Sequence, residues 1–134
     1  MFTLYREDAL RRHLEILFHS TPGLRAAVIG NVDGLVVTSY PPEAEDLTNP
    51  TGDHSLAATT ALIVGLAERT LERLAQGALD RVMIEGEEGV VAVFPCADDA
   101  ALAVLIAKDA KLGLTLLAAR KTADQIKAIL NSNR

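Results

Sequence analysis

The fold is decided by residues 53–75, which read DHSLAATTALIVGLAERTLERLA. The spacing of the apolar residues predicts one helix, because side chains three and four positions apart lie on the same helical face. Between Ser55 and Ala67 this segment contains no charged residue. One apolar face comprises Leu56, Thr60, Ile63, Ala67, Thr70, Leu71 and Leu74, and a second comprises Ala58, Ala61, Leu62, Gly65 and Leu66.

The second apolar face predicts that another polypeptide covers this helix. A helix that is apolar on nearly all sides is expected to be buried on more than one side. The chain has 134 residues, which fits a single domain over residues 1–134. Such a domain can cover one helix face with its own sheet, but little of the chain remains to cover the other.

The segments on either side predict two further helices and five strands. Leucine spacing predicts a first helix over residues 3–19, and a single apolar stripe predicts a last helix over 112–130. Strands are predicted over 24–30, 35–39, 80–85, 90–94 and 100–107, with Pro95 ending the fourth because proline cannot donate to a ladder. Residues 40–52, with three prolines, are expected to form an exposed, mobile loop, and Asp53 or Ser55 to cap the helix that follows.

The predicted order α-β-β-α-β-β-β-α indicates an α/β fold. Short hairpin turns make the paired strands antiparallel. Several strands are apolar on both faces, so helices should cover both sides of the sheet. We therefore expect a three-layer α/β/α sandwich around one five-stranded antiparallel sheet.

Composition excludes several classes of protein. A net charge of -5 disfavours nucleic-acid binding, because an acidic surface repels phosphate backbones. The single cysteine, Cys96, cannot form an intramolecular disulfide. No apolar run reaches the roughly 18 residues that a membrane span requires, and the N-terminus lacks the apolar run of a signal peptide. We therefore expect a cytoplasmic protein without a membrane span.

The residue types that most often carry catalysis or bind metals do not cluster in this sequence. His13, His19 and His54 lack metal-binding spacing and are expected to be exposed or half-buried on helices. Cys96 follows a strand-ending proline and is expected to be structural, with a nucleophile or redox sensor as the alternative.

Two acidic turns leave similar alternatives. Asp98-Asp99 is expected to be a solvated turn, with acid/base chemistry as the alternative. Glu85, Glu87 and Glu88 are expected to form a solubilising turn. We expect no catalytic residue, no cofactor and no metal.

Several short stretches, taken in order, resemble the Roadblock/LC7 family. They are Pro22-Gly23-Leu24-Arg25-Ala26-Ala27-Val28 at the entry to the first strand, the hairpin Asp33-Gly34-Leu35-Val36, the alanine-rich Ser55-Leu56-Ala57-Ala58, and Leu112-Gly113-Leu114 before the last helix. Each is weakly specific alone, but the ordered set is fairly specific and extends from about Leu10 to about Leu130. The predicted element order agrees with the profilin-like fold of this family and was obtained independently of it.

The resemblance implies a dimer in which the third strands pair and the second helices pack side by side. It places Arg81 and Met83 at the strand junction, and the small residues Ala58, Ala61 and Gly65 would permit close approach of the helices. Substituting Gly65 by a charged residue should then break the association or a partner contact while the single chain still folds.

The resemblance also implies a function, since the chain is similar to bacterial gliding-motility regulators that act on a Ras-like GTPase. We expect a non-catalytic homodimer that binds the GTP form, with Leu62, Leu66, Arg69 and Arg73 at the edge of its contact surface. The chain has no G-x-x-x-x-G-K-[ST] motif, so it is not itself the GTPase.

Two alternatives remain open for this surface. The protein is a scaffold or adaptor without effect on hydrolysis, as are other family members, or a small enzyme or ligand sensor that uses Cys96 or Asp98. Arg69 and Arg73 either act as arginine fingers or, as we expect, pair with Glu72 and Glu68 on the helix surface.

Overall fold

The computed structural model describes residues 2–42 and 52–132, and the helices and strands in these ranges follow the predicted order. They are α1 (Phe2–Ser20), β1 (Leu24–Asn31), β2 (Val36–Tyr40), α2 (Asp53–Arg73), β3 (Val82–Glu85), β4 (Gly89–Ala97), β5 (Ala100–Ala107) and α3 (Leu112–Asn131). Most of the predicted loop over residues 40–52 lies outside the described residues.

The strands form one five-stranded sheet in the order β2-β1-β5-β4-β3, and each neighbouring pair is antiparallel. The two sheet edges are therefore β2 and β3. Helix α2 packs on one face of the sheet, while α1 and α3 pack on the other. The predicted α/β class, the element order and the antiparallel sheet are confirmed.

Successive side chains of β5 point alternately toward the two helical layers. Leu102, Val104 and Ile106 are fully buried against α1 and α3. Ala101 and Ala103 face the other way, toward α2. Because successive strand side chains point to opposite faces, the large residues fill the main core and the small ones let α2 approach the sheet closely.

The prediction that Pro95 ends the fourth strand is wrong, since β4 continues to Ala97. Pro95 lies opposite Ala101 on β5, next to an irregularity in the register. The β3–β4 ladder ends at the pair Val82 and Val93, so β4 has only one neighbouring strand at Pro95. A missing N–H on the open side of a strand removes no ladder bond. Cys96, which was expected to follow the end of the strand, consequently lies within it.

The predicted cap of α2 is correct in one respect and wrong in another: Asp53 accepts a hydrogen bond from a free N–H group of the first turn, but it is not the N-cap residue. Gly52 is the N-cap residue and contributes no side-chain hydrogen bond. Asp53 is the first helical residue, and its carboxylate accepts hydrogen bonds from the Ser39 hydroxyl and the His54 N–H, both at 2.8 Å. The carboxylate thus ties the start of α2 to β2, and its charge is favourable at the positive end of the helix dipole.

Candidate interaction surface

One side of α2 is anchored on the sheet by small and β-branched residues. Ala57 and Thr60 are buried, while Leu56 and Val64 pack against the sheet cluster of Val93, Ala101 and Ala103. The Thr60 hydroxyl donates to the Leu56 carbonyl at 2.6 Å, so its burial leaves no polar group unsatisfied. This side of the helix is accounted for by the chain itself.

The outward side of α2 stays uncovered in the single chain. Leu62 is 75% exposed and Leu66 is 63% exposed, and Ala58 is exposed beside them. Scattered exposed leucines are ordinary, but these three follow one another along one helical face. The sequence-based expectation that the chain leaves part of this helix uncovered is confirmed.

Arg69 and Arg73 extend the same outward face toward the end of α2, and both are exposed. Within the described residues, neither forms an ion pair with Glu68 or Glu72. The predicted surface pairing is therefore wrong in this structure. Exposed pairs of this kind contribute little free energy, and the two guanidinium groups remain available to a partner.

The structure separates the predicted helix residues into two flanks. Ala61 and Gly65 line a groove of about 740 Å³ that also includes Pro95 and Asp98 at the end of the β4–β5 hairpin. A Cβ added at Gly65 would meet no atom within 4 Å, so the packing of the chain itself does not require glycine here. Leu66 projects from a different flank of the helix, about 100° further round than Gly65.

The other predicted contact region, around β3, forms an open sheet edge. Arg81, Met83 and Ile84 are exposed. The Gly86 N–H donates to the Gly89 carbonyl at 2.8 Å, and the register pairs Ile84 with Val91. Hydrogen-bonded pairs alternate along an antiparallel ladder, so the N–H groups of Met83 and Glu85 point away from β4 into the open edge.

Two basic residues hold the ends of β3, and neither contact was predicted from the sequence. The Lys108 Nζ donates to Glu85 Oε1 and to the Gly86 carbonyl, both at 2.9 Å. The Arg120 Nη2 donates to the Asp80 carbonyl at 3.3 Å and lies 3.0 Å from Asp80 Oδ1. These contacts span 22 to 40 residues of sequence, so no local spacing signals them. Glu85 accordingly does more than make the turn soluble.

The tip of the β1–β2 hairpin adds two exposed apolar side chains, Val32 and Leu35, which the sequence analysis also missed. The Asn31 Oδ1 accepts hydrogen bonds from the N–H groups of Asp33 and Leu35, both at 3.0 Å. The Val32 N–H donates to the Asp99 carbonyl at 3.1 Å. These bonds fix the tip, and two apolar residues within a turn of asparagine, aspartate and glycine were the available sequence signal.

Gly34 seats this hairpin tip against α2. Its φ is +80°, and an added Cβ would lie 3.1 Å from the Cα of Ala58. Only glycine combines this backbone conformation with such a close approach. Val32 and Leu35 are therefore held beside the outward face of α2.

The residues considered for catalysis do not converge. Within residues 2–42 and 52–132, no group of three or more His, Cys, Asp or Glu side chains has metal-binding geometry. The His19 Nε2 lies 3.0 Å from the Tyr40 hydroxyl. Cys96 is buried, and desolvation by burial raises the pKa of its thiol to about 12, so the thiol is protonated at neutral pH. Asp98 and Asp99 are exposed in the hairpin turn, as expected.

None of the helices in the described part of the chain is long and apolar enough to cross a membrane.

Residues 13–106 of this chain match the family model described as "Roadblock/LC7 domain". An uncharacterized protein of Methanocaldococcus jannaschii is 32% identical over 111 residues, which are 83% of this chain and 91% of that protein. The structure of the gliding protein MglB from Thermus thermophilus superposes with a TM-score of 0.81 at 20% identity, covering 95% of this chain and 92% of that one. Profilin IA of Acanthamoeba castellanii shares the fold more distantly, with a TM-score of 0.57 at 14% identity, covering 87% of this chain and 95% of that one.

Proposed function

Because the chain belongs to the Roadblock/LC7 domain family, we propose that it is a non-catalytic homodimer that regulates a Ras-like small GTPase by binding its GTP form. The observation that carries the proposal is the uncovered outward face of α2 beside the open β3 edge. Both features expose groups that a folded chain normally covers, namely large apolar side chains and strand amides.

The proposed homodimer forms through the β3 edge. Outward N–H groups of Met83 and Glu85 can pair with the same strand of a second copy, since a twofold interface brings identical patches together. Ile84 lies on the side of the sheet that carries α2, because its register partner Val91 packs in that cluster. The α2 helix of the second copy would then cover Ile84 and Leu66.

The proposed GTPase contact uses the surface that β3 pairing leaves open. Val32 and Leu35 lie at the tip of the β1–β2 hairpin. In the strand order, β1 is three strands away from β3. At about 4.8 Å per strand this is roughly 14 Å from the paired edge. Together with Ala58 and Leu62 they form an apolar surface of the kind that anchors protein interfaces.

Arg69 and Arg73 follow Leu66 on the same helical face, so they would lie at the edge of the proposed dimer contact and supply polar groups to a GTPase bound there. A guanidinium group bonds carboxylates and phosphates with several donors at once. Regulation requires only that the dimer bind one nucleotide state of the GTPase better than the other. The dimer would stabilise the GTP-bound switch regions and reposition the catalytic residues of the GTPase, so no covalent step falls to this chain.

The test is capture of a Ras-like GTPase encoded by the same genome, loaded with a GTP analogue or with GDP. We expect capture of the GTP form only, and loss of capture with Leu62→Glu. Leu117→Glu is the matched control, since Leu117 is 68% exposed on α3 across the sheet. Capture with an accelerated hydrolysis rate indicates activation, and capture with an unchanged rate indicates an adaptor. Equal capture of both nucleotide forms, or none, contradicts the proposal.

A further inference from the structure

β3 is a short strand with little to hold it in place. It comprises four residues, Val82–Glu85, and in the single chain β4 is its neighbour on one side. Three of its four side chains are exposed. Segments with few buried contacts and one-sided hydrogen bonding open locally at low free-energy cost. Without further contacts, this edge would fray more readily than the rest of the sheet.

Side chains from the α3 side of the sheet counter this fraying at both ends. Lys108, in the link between β5 and α3, bridges the carboxylate of Glu85 and the carbonyl of Gly86, both at 2.9 Å. Arg120 of α3 contacts both the carbonyl and the carboxylate of Asp80, just before the strand. We call these two residues the β3 clamps.

Arg120 is itself fixed by the main core. Its guanidinium carbon lies 4.9 Å from the centre of the Phe94 ring, and Phe94 is fully buried. A cation over an aromatic face is attracted by the ring electrons. The clamp therefore transmits the position of the rigid β4–α3 core to the start of β3.

We propose that Lys108 and Arg120 are positioning residues that hold β3 in the conformation able to pair with a second copy of this chain. The inference rests on the proposed homodimer and adds the requirement that β3 be held in place before two copies can pair. A dimer forms from two competent chains, so its apparent Kd rises with the inverse square of the competent fraction. If loss of both clamps lowers that fraction to about one third, the Kd rises about tenfold.

The test measures dimer dissociation by light scattering over a dilution series. We expect the double substitution Lys108→Met and Arg120→Met to raise the Kd, and a fall of the competent fraction to one third corresponds to a rise of about tenfold. Lys121→Met removes a positive charge from an exposed position of the same helix and should leave the Kd unchanged. Lys108→Arg retains the donor and the charge, and should stay within about twofold of the parent protein.

A second variant separates loss of the ion pair from any disturbance of core packing that Arg120→Met causes. The Asp80 side chain is 81% exposed, so Asp80→Asn removes the ion pair while leaving the core intact. It should raise the Kd in the same direction as Arg120→Met with an unchanged Tm. Amide exchange at a concentration where the chain is monomeric should quicken in the clamp variants at Val82 and Ile84, whose N–H groups point toward β4, and not in β1 or β5.

The outcomes separate this inference from the proposal on which it rests. A parent protein that stays monomeric at every concentration contradicts both. A parent dimer whose Kd and β3 exchange are the same in the clamp variants contradicts the positioning role alone. A parent dimer weakened by Lys121→Met as much as by the clamp substitutions points to net charge and also contradicts it.

Discussion

Leu66 offers a quantitative test of how the outward face of α2 is covered. Complete burial of a leucine side chain stabilises by about 2 kcal/mol. Since 63% of Leu66 is exposed in the single chain, covering it with a second copy would contribute roughly 1.3 kcal/mol. Alanine keeps part of that contact, so Leu66→Ala should cost about 1 kcal/mol per chain and, by twofold symmetry, about 2 kcal/mol per dimer.

This loss corresponds to a rise of about thirtyfold in the dimer Kd, measured by sedimentation equilibrium over a dilution series. The Tm of the monomer should hardly move, because the chain itself buries little of this side chain. Leu117→Ala is the matched control, since Leu117 has a similar exposure of 68% on the opposite side of the sheet. Equal Kd values for the two variants would refute the assignment of this face to the dimer.

Three further substitutions and one pH profile probe other parts of the account. Gly65→Glu places a charge in the groove that Gly65 lines with Pro95 and Asp98 and should leave the Tm unchanged, because a side chain at Gly65 meets no atom within 4 Å; an unchanged dimer Kd together with unchanged GTPase capture would contradict the assignment of this flank of α2 to an interface. Gly34→Ala should lower the free energy of unfolding by about 1–3 kcal/mol in urea titrations, since φ is +80° and Ala58 is close. Gly113→Ala, where no atom lies within 4 Å, should leave stability unchanged or slightly raised. Cys96 has a folded-state pKa of about 12 against an ordinary value of 9.0, so above pH 9 the unfolded chain loses the thiol proton first and stability falls with rising pH. Cys96→Ala should flatten that fall between pH 9 and 12 in urea titrations, and identical pH profiles would refute the burial effect.

The sequence predicts those parts of the fold that depend on local periodicity. The apolar residues of α2 repeat at helical spacing, so the helix and its partly uncovered apolar surface were predicted correctly. The membership of the sheet-facing side was predicted less well: Ala57 and Val64, which pack on the sheet, belonged to neither predicted face, and Leu74 of the first face is 63% exposed. The hairpin turns of glycine, aspartate and asparagine likewise determine which strands are antiparallel neighbours. The sheet order follows less directly, because β1 pairs with β5 across a long stretch of sequence, as in the pair Ala27 and Val104, which are 77 residues apart.

Features that depend on a particular neighbour were predicted less well. Whether Pro95 ends a strand depends on how far β3 extends beside it, which its own sequence does not show. The expected pairing of Arg69 with Glu72 rested on helical spacing, but an exposed pair is too weak to be fixed by spacing alone. The clamps by Lys108 and Arg120 join segments that are distant in the sequence, so they become visible only when the chain is folded.

Amide exchange at β3 as a function of protein concentration tests the central claim most directly. The outward N–H groups of Met83 and Glu85 should exchange quickly in dilute solution and become protected as the concentration passes the dimer Kd. Rapid exchange of both amides in samples whose mass is that of a dimer would show that the two copies meet elsewhere. The assignment of the β3 edge as the dimer interface would then be wrong.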